Sequence, residues 1–223
     1  MVPVLDDADQ LARLLATQSR HPFVEMLVVD GGYDARLDHL AGPRPDVRVI
    51  RAPRGRASQM NAGAACALGD WLLFLHADCR LPPGWVEALL AAPAEATGGW
   101  FRFALDSRAW QARVIERGVA WRVRWLRLPY GDQGLFVRRE VFIRLGGYPL
   151  QPLMEDVAFA HRLVREGPVW ELDLALVTSA RRWERDGWWR RSARNLVLVT
   201  FYALGVAPDW LARAYEGARR TRP

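Results

Sequence analysis

The sequence contains no lysine: all 31 of its basic residues are arginine, and its formal net charge is +6. It has only two cysteines, Cys66 and Cys79, which form neither a Cys-x-x-Cys pair nor a metal-binding spacing. This excludes a disulfide-stapled fold and favours a reducing, cytoplasmic setting. Arginine binds phosphate and carboxylate groups in a planar, bidentate way. The charge alone does not distinguish an anionic substrate from a membrane surface or nucleic acid.

Long hydrophobic runs are also missing. No uncharged apolar stretch is long enough to span a bilayer, and the longest late one, Leu196–Ala207, falls short. The first residues show no basic segment followed by an apolar one, so we expect no secretory signal. With 223 residues, 51% of them hydrophobic, the chain fits a single folded domain.

The stretch Trp71–Gly84 is the most informative part of the sequence. Its first five residues, Trp71–Leu75, are apolar, and they are followed by His76 and Asp78 and then by a Pro-Pro-Gly breaker. A short apolar run between breakers predicts a strand buried on both faces of a parallel sheet. Ligands bind outside the carboxyl ends of such strands, so we expect Asp78 to face a ligand.

Three earlier apolar runs likewise end in polar or basic residues. Strands are predicted at Val2–Leu5, Phe23–Val29 and Val47–Arg51, and helices at Ala8–Ser19 and Ser58–Leu68. The alternation predicts an α/β layer in which the strand ends meet at one edge. That edge carries Asp7, Asp30, Arg54, Arg56 and Asp78. Three alternatives remain open: a favourable interaction of Asp7 with the helix dipole, turn chemistry for Asp30 and a solvated basic loop for the arginines.

The second half of the sequence is less regular. A strand is predicted at Gly98–Leu105 and another at Val169–Leu172, an arginine-rich loop at Thr178–Trp183, and two final helices at about Trp189–Leu204 and Pro208–Arg219. Between the strands, Trp110, Val114, Trp121 and Trp125 recur mostly at helical spacing with interleaved arginines. We interpret them as a core-facing stripe in preference to a membrane-binding face.

Six segments, in this order, resemble those of the family 2 glycosyltransferases: Val2–Asp7, Val28–Asp34, Gly55–Gly63, Phe74–Gly84, Gly131–Arg138 and Met154–Asp156. The His-Ala-Asp and Leu-Pro-Pro-Gly sequences and the late Thr178–Trp183 are similar to a small bacterial subgroup. The resemblance implies the α/β fold called GT-A, with a mixed, mostly parallel sheet flanked by helices and followed by C-terminal helices. It also implies one domain over residues 1–223, with a nucleotide-binding half (1–85), an acceptor half (86–180) and a helical extension (181–223).

The resemblance further implies the roles of single residues, first on the donor side. Val4, Asp7 and Asp30 would line the pocket for the base and ribose, with Arg54, Arg56 and Asn61 near the base and diphosphate. Asp78 matches the last residue of the family's Asp-x-Asp motif, which binds a divalent ion, Mg²⁺ or Mn²⁺, under the diphosphate. His76 stands at the first position of that motif, so one carboxylate remains there. Arg181 and Arg182 would add positive charge at the diphosphate.

On the acceptor side, Glu155 and Asp156 match the family's acidic pair, in which the Asp is the general base. Asp132 and Gln133 fall where the acceptor or the transferred sugar is contacted. With one base and no evident second nucleophile, a single displacement with inversion at the anomeric carbon follows. A nucleotidyltransferase is disfavoured because Val2–Asp7 contains no glycine-rich basic loop.

The expected partner is a nucleoside diphosphate sugar, and nucleic acid is not expected. A noncatalytic nucleotide-sugar-binding protein on the same fold remains the alternative function. The tryptophan- and arginine-rich stretch Trp183–Arg194 and the apolar helices after it leave two interpretations open. One is a lipid-linked or membrane-side acceptor, with the protein peripheral at the inner membrane face; the other is a homodimer interface.

Overall fold

A computed structural model describes residues 1–220 of the chain, with side chains to residue 215, so the last three residues of the predicted helical extension lie outside it. Strands and helices alternate through the first part: β1 (Val2–Val4), α1 (Ala8–Thr17), β2 (Met26–Asp30), α2 (Arg36–Ala41), β3 (Val47–Arg51), α3 (Arg56–Cys66) and β4 (Trp71–Leu73). The predicted α/β fold is confirmed.

The first three strands form a parallel sheet in the order β1-β2-β3. In its register Val4 lies beside Asp30, and Asp30 beside Arg51, so the polar strand ends meet at one edge. Met1 connects this sheet to the next strand, because its amino group donates to Leu73 O (2.6 Å) and its carbonyl accepts from Leu75 N (2.9 Å). β1 therefore runs alongside β4.

The remaining elements are β5 (Cys79–Arg80), α4 (Trp85–Leu90), β6 (Gly98–Leu105), α5 (Trp110–Leu126), β7 (Phe136–Arg138), α6 (Arg139–Arg144), α7 (Glu155–Glu166), β8 (Val169–Thr178), α8 (Arg181–Asp186), α9 (Trp188–Ala203) and α10 (Pro208–Arg220). The four strands among them form a five-stranded sheet with β4, in the order β4-β7-β6-β8-β5. β6 and β8 pair in parallel, and the other three pairings are antiparallel. The sheet is therefore mixed, as expected.

The aromatic core under the second half is formed by Phe74, Phe142, Tyr148 and Phe159. The rings of Tyr148 and Phe159 have centroids 4.5 Å apart, and Phe74 meets Tyr148 edge-on at 4.9 Å. Such pairs contribute about 1 kcal/mol each beyond the area they bury. They attach α6 and α7 to the segment after β4, which places the start of α7 near His76.

Three expectations for the second half are wrong. β8 continues beyond Leu172 to Thr178, because it pairs with β6 along most of its length and with β5 at its end. The predicted loop Thr178–Trp183 instead contains the start of α8. The stripe on α5 is helical, but Trp110, Trp121 and Trp125 are exposed, so it does not face the core.

Candidate active site

The carboxylate of Asp78 lies at the centre of a charged cluster beyond the end of β4. Its side chain is 4% exposed, and Arg182 Nη2 lies 3.1 Å and Arg181 Nη2 3.8 Å from Asp78 Oδ2. Arg181 Nη2 also donates to Asp7 Oδ2 at 3.1 Å. The two guanidiniums remain partly open to solvent, since 40% of the Arg181 side chain and 35% of the Arg182 side chain are exposed. Two arginines from the late helix α8 therefore pair with two acids from the first half of the chain, Asp7 after β1 and Asp78 after β4.

The side chain of Asp7 does not cap α1. It stands at the N-cap position without a side-chain hydrogen bond to the helix, and its partner is Arg181. The Arg181 contact therefore connects Asp7, at the expected ligand-binding edge, to α8.

The acidic pair Glu155 and Asp156 begins α7, directly after Met154, which has a left-handed backbone (φ 65°). A non-glycine residue in this region is strained, and such strain is common at functional sites. Asp156 Oδ2 accepts from Gly131 N (2.7 Å), and Oδ1 accepts from Val157 N (2.8 Å). The carboxylate of Asp156 is thus held in one orientation by two backbone donors.

Glu155 points into the protein. Its pKa is raised to about 7, chiefly by burial and then by the neighbouring Asp156, while Arg56 opposes both. Arg56 Nη1 lies 3.6 Å from Glu155 Oε1, at the start of α3. The buried Glu155 thus forms an ion pair with Arg56, while the side chain of Asp156 points outward.

The single turn at residues 131–133 connects the two halves of the site. A Cβ added at Gly131 would lie 3.0 Å from Asp156 Oδ2 and 3.1 Å from His76 Nε2, so this backbone passes between the two side chains. The next residue, Asp132, has its pKa raised to about 6 by burial and by the negative charges of Asp156 and Asp78, against the pull of Arg122. Asp132 is therefore close enough for charges at both ends of the site, those of Asp156 and Asp78, to shift its pKa.

Gln133 is not at the surface of the site. Its side chain is 1% exposed; its Oε1 accepts from Arg122 Nη2 (3.1 Å) and Tyr130 N (3.3 Å), and its Nε2 donates to Phe101 O (3.4 Å). The guanidinium of Arg122 also stacks 3.4 Å over the Tyr130 ring. These contacts make Gln133 a positioning residue for the turn, in place of the ligand contact expected from the sequence.

The edge formed by β1 and β2 is held by one glutamine that the sequence analysis did not single out. Gln59 Nε2 donates to the carbonyls of Val4 (2.8 Å) and Val29 (2.7 Å), and a Cβ on Gly31 would lie 2.9 Å from Gln59 Cδ. Its one signal in the sequence is a polar residue near the start of a helix that is otherwise alanine-rich. It fixes the strand ends at which Val4 was expected to meet the nucleotide.

Asp30 is fully buried and has several partners. Its carboxylate accepts from Gly32 N and Asp34 N, both at 2.7 Å, and from Arg51 Nη1 at 2.6 Å. The carboxylate therefore shapes the turn that follows β2. This agrees with the turn-chemistry alternative for Asp30. The residues of the turn, and not the Asp30 carboxylate, would then form the surface of the pocket.

Two residues expected near the base and diphosphate differ in their surroundings. Arg54 is exposed in the loop before α3. Asn61 instead forms a two-way clamp on the backbone of Tyr148: it donates to Tyr148 O (2.9 Å) and accepts from Tyr148 N (2.8 Å). Asn61 therefore ties α3 to the loop before α7.

His76 lies two residues before Asp78 in the chain, and its surroundings keep it uncharged. Burial lowers its pKa well below the usual value, and the charges of Arg56 and Arg182 lower it further. A neutral imidazole adds no negative charge to the cluster.

Metal ligands are sparse in this site. Within the described residues, no three His, Cys, Asp or Glu side chains form a group able to hold a metal ion. Mg²⁺ and Mn²⁺ prefer oxygen ligands, and Mg²⁺ commonly takes one or two carboxylates together with substrate phosphates and water. The single carboxylate of Asp78 fits an ion that is held jointly by the protein and a diphosphate.

Comparison with known proteins identifies the family of this arrangement. The family model described as glycosyl transferase family 2 matches residues 1–150. These residues include every strand from β1 to β7. No curated protein is significantly similar to the chain.

Solved structures show the same fold at low sequence identity. The mannosyltransferase PcManGT from Pyrobaculum calidifontis, in complex with GDP-Man and Mn²⁺, has a TM-score of 0.67 and 20% identity and is covered over 64% of its length by 93% of this chain. TarS from S. aureus in complex with UDP-GlcNAc has a TM-score of 0.58 and 16% identity, with 57% of its chain and 80% of this one covered. The chain thus spans less than two thirds of either structure.

Proposed function

Because the chain belongs to glycosyl transferase family 2, we propose that it transfers a sugar from a nucleoside diphosphate donor to an acceptor hydroxyl, with inversion at the anomeric carbon. One observation carries the proposal: the site has a cationic side, with Arg56, Arg181 and Arg182, and an oriented carboxylate, Asp156, beyond the turn at Gly131. A leaving diphosphate needs positive charge to stabilise it, and an attacking hydroxyl needs a carboxylate to accept its proton.

The leaving group develops negative charge as its bond to the anomeric carbon breaks. Arg181 and Arg182 come from the first turn of α8 and offer charge-assisted hydrogen bonds to phosphate oxygens. A bound Mg²⁺ or Mn²⁺ ion would add Lewis-acid stabilisation of the same charge, with Asp78 as its protein ligand. Asp7 and Asp78 hold the two guanidiniums in place before the donor arrives.

The attacking group is a hydroxyl whose proton must be removed. In our proposal Oδ2 of Asp156 takes that proton as the hydroxyl oxygen bonds to the anomeric carbon and the nucleoside diphosphate departs. The backbone N–H of Gly131 fixes the orientation of this oxygen. Glu155 does not compete for the role because it is buried against Arg56.

We propose no particular base or sugar for the donor. PcManGT was solved with GDP-Man and TarS with UDP-GlcNAc, so uridine and guanosine diphosphate sugars are the donors to test first. The acceptor is a hydroxyl compound, either lipid-linked or presented at a membrane. A noncatalytic binding protein would bind these donors without releasing nucleoside diphosphate.

The experiment is a screen for nucleoside diphosphate release from both donor classes, with Mn²⁺, with Mg²⁺ and with a chelator. We expect release with the wild type, and at least a hundredfold less with Asp156→Asn while donor affinity stays within about twofold. Asp173→Asn is the matched control, since that carboxylate is 99% exposed on β8. Unchanged turnover in Asp156→Asn would defeat the assignment of the base. Donor binding without release by the wild type would support the noncatalytic alternative.

A further inference from the structure

Helix α5 turns an apolar face to solvent. Trp110, Val114, Trp121 and Trp125 lie on one side of it, with exposed fractions between 41% and 66%. The opposite side of the helix is buried and includes Ala112. Contiguous exposed apolar surface of this kind marks a site of interaction with a protein or a membrane.

Helix α9 has a second exposed apolar face. Its members, Trp189, Leu196, Val197, Phe201 and the terminal Leu204, are between 42% and 75% exposed. The spacing places them on one side of the helix, and Leu198 on the other side is buried. No helix in the described part of the chain is long and apolar enough to cross a bilayer.

The two faces adjoin. The rings of Trp110 and Trp189, near the starts of the two helices, have centroids 5.7 Å apart. Leu128, just after α5, shares a buried cluster with Leu198 of α9. The helices therefore run side by side, and we name their joint exposed face the α5–α9 surface: Trp110, Val114, Trp121, Trp125, Trp189, Leu196, Val197, Phe201 and Leu204.

The exposed charges on these two helices are all positive. Arg117, Arg124 and Arg190 are exposed. Residues 110–126 and 188–203 contain a single acid, Glu116, whose side chain is 15% exposed and accepts from Leu105 N at 2.7 Å. The α5–α9 surface thus combines tryptophan, aliphatic side chains and arginine, with no exposed carboxylate on either helix.

We propose that the α5–α9 surface docks on an anionic lipid bilayer, with both helices lying in the plane of the membrane interface. Tryptophan is enriched at the level of lipid headgroups, and arginines around an apolar face bind anionic lipids. A second copy of the chain fits less well. In a symmetric dimer the same basic surface would face itself, so arginine would meet arginine with no acid between them.

The α5–α9 surface includes the outer side of α9, whose inner side packs against the residues that flank the acidic pair. Leu198, on the buried side of α9, belongs to the same cluster as Met154 and Val157, which flank Glu155 and Asp156. A bilayer on α9 would therefore be one helix away from the proposed base. Docking itself needs no donor and does not depend on the proposed reaction.

The test is co-sedimentation with vesicles of phosphatidylcholine alone and of phosphatidylcholine mixed with phosphatidylglycerol, in the absence of donor. We expect binding to the mixed vesicles that weakens as salt is added. The double variant Arg117→Ala/Arg124→Ala should lower the partition coefficient about 25-fold, since each basic residue near an anionic surface contributes about fivefold. Trp121→Ser/Trp125→Ser and Leu196→Ser/Phe201→Ser should each lower it at least about tenfold.

Matched controls come from exposed residues elsewhere. Phe23 and Leu150 are 80% and 78% exposed, so Phe23→Ser/Leu150→Ser removes apolar surface outside the α5–α9 surface. Arg165→Ala removes an exposed arginine on α7. All controls should bind as the wild type does.

Three results would overturn the proposal. The first is wild-type protein that stays in the supernatant with mixed vesicles, and the second is surface variants that sediment as well as the controls. The third is a dimer, seen by light scattering without lipid, that Leu196→Ser/Phe201→Ser converts to monomers; that result would assign the surface to a second copy. Because neither sedimentation nor light scattering requires turnover, none of these results bears on nucleoside diphosphate release.

Discussion

The guanidinium of Arg182 lies 3.1 Å from the buried carboxylate of Asp78. Arg182 lies in the first turn of the late helix α8, and Asp78 follows β4 in the first half of the chain. In the free protein the aspartate proposed to hold a metal ion is therefore already paired with a cation. A donor diphosphate approaching this site meets the arginine and the carboxylate together.

Replacing Arg182 should weaken donor binding. We expect Arg182→Ala to lower the affinity for the nucleoside diphosphate roughly tenfold to hundredfold, because a hydrogen bond to a charged group contributes about 1.5–3 kcal/mol. Isothermal titration with UDP and GDP measures the change, and the exposed Arg165→Ala is its control. An affinity within twofold of the wild type would show that Arg182 does not contact the diphosphate.

Divalent metal should bind only together with nucleotide. With one carboxylate and no three-ligand group among the described residues, the protein alone should leave Mn²⁺ essentially free. Adding the nucleoside diphosphate should bring Mn²⁺ onto the protein, and Asp78→Ala should abolish this. Proton relaxation enhancement distinguishes Mn²⁺ on the protein from Mn²⁺ on free nucleotide. Tight Mn²⁺ binding by the protein alone would place the metal on other ligands.

Adding one methyl group at Gly131 should damage turnover more than stability. The new Cβ would lie 3.0 Å from Asp156 Oδ2 and 3.1 Å from His76 Nε2, so the carboxylate must move. The two side chains must give by a few tenths of an ångström, so the rate should fall measurably but by less than the roughly hundredfold cost of a 1 Å displacement. The free energy of unfolding should fall by only about 1 kcal/mol. Steady-state kinetics and urea unfolding measure the two effects. Gly118→Ala is the control, because nothing lies within 4 Å of its added Cβ.

Stability should depend on pH through Asp132. Its pKa is about 6 in the folded protein against a reference of 3.8, so the folded state holds a proton that the unfolded state has lost between those values. The free energy of unfolding therefore falls as pH rises through this window, and the cost is complete above it. Asp132→Asn should gain about 3 kcal/mol at pH values above the window and nothing below it. Urea unfolding across the pH range tests this; a constant difference at every pH would contradict it.

The strands show where sequence patterns suffice. Val47–Arg51 and Gly98–Leu105 were predicted with the bounds that the structure has, because β-branched residues in the first and aromatic residues in the second favour strands. β8 was predicted too short: it carries exposed acids such as Asp173, and only its pairing with β6 and β5 keeps it extended to Thr178. Pairing over such a distance leaves no local signal.

The site shows the same division. The positions of Asp78 and Asp156 follow from strand ends and from the family resemblance. Gln59 and Arg122 were missed, and Asn61 and Gln133 were given ligand contacts, because a polar side chain beneath a site has the same sequence signal as one that faces it. Only their hydrogen bonds to Val4 O, Tyr148 and Phe101 O separate the two cases.

The sequence by itself determined the α/β order, the family and the acids at the strand ends, because these depend on local periodicity and on motifs within short segments. The tertiary structure alone decided that Arg182 pairs with Asp78 and that Trp121 and Trp125 face outward. Helical spacing predicts that residues share a face but not what covers that face, since burial depends on which elements pack against it. An ion pair between distant segments is likewise set by how the helices return to the sheet.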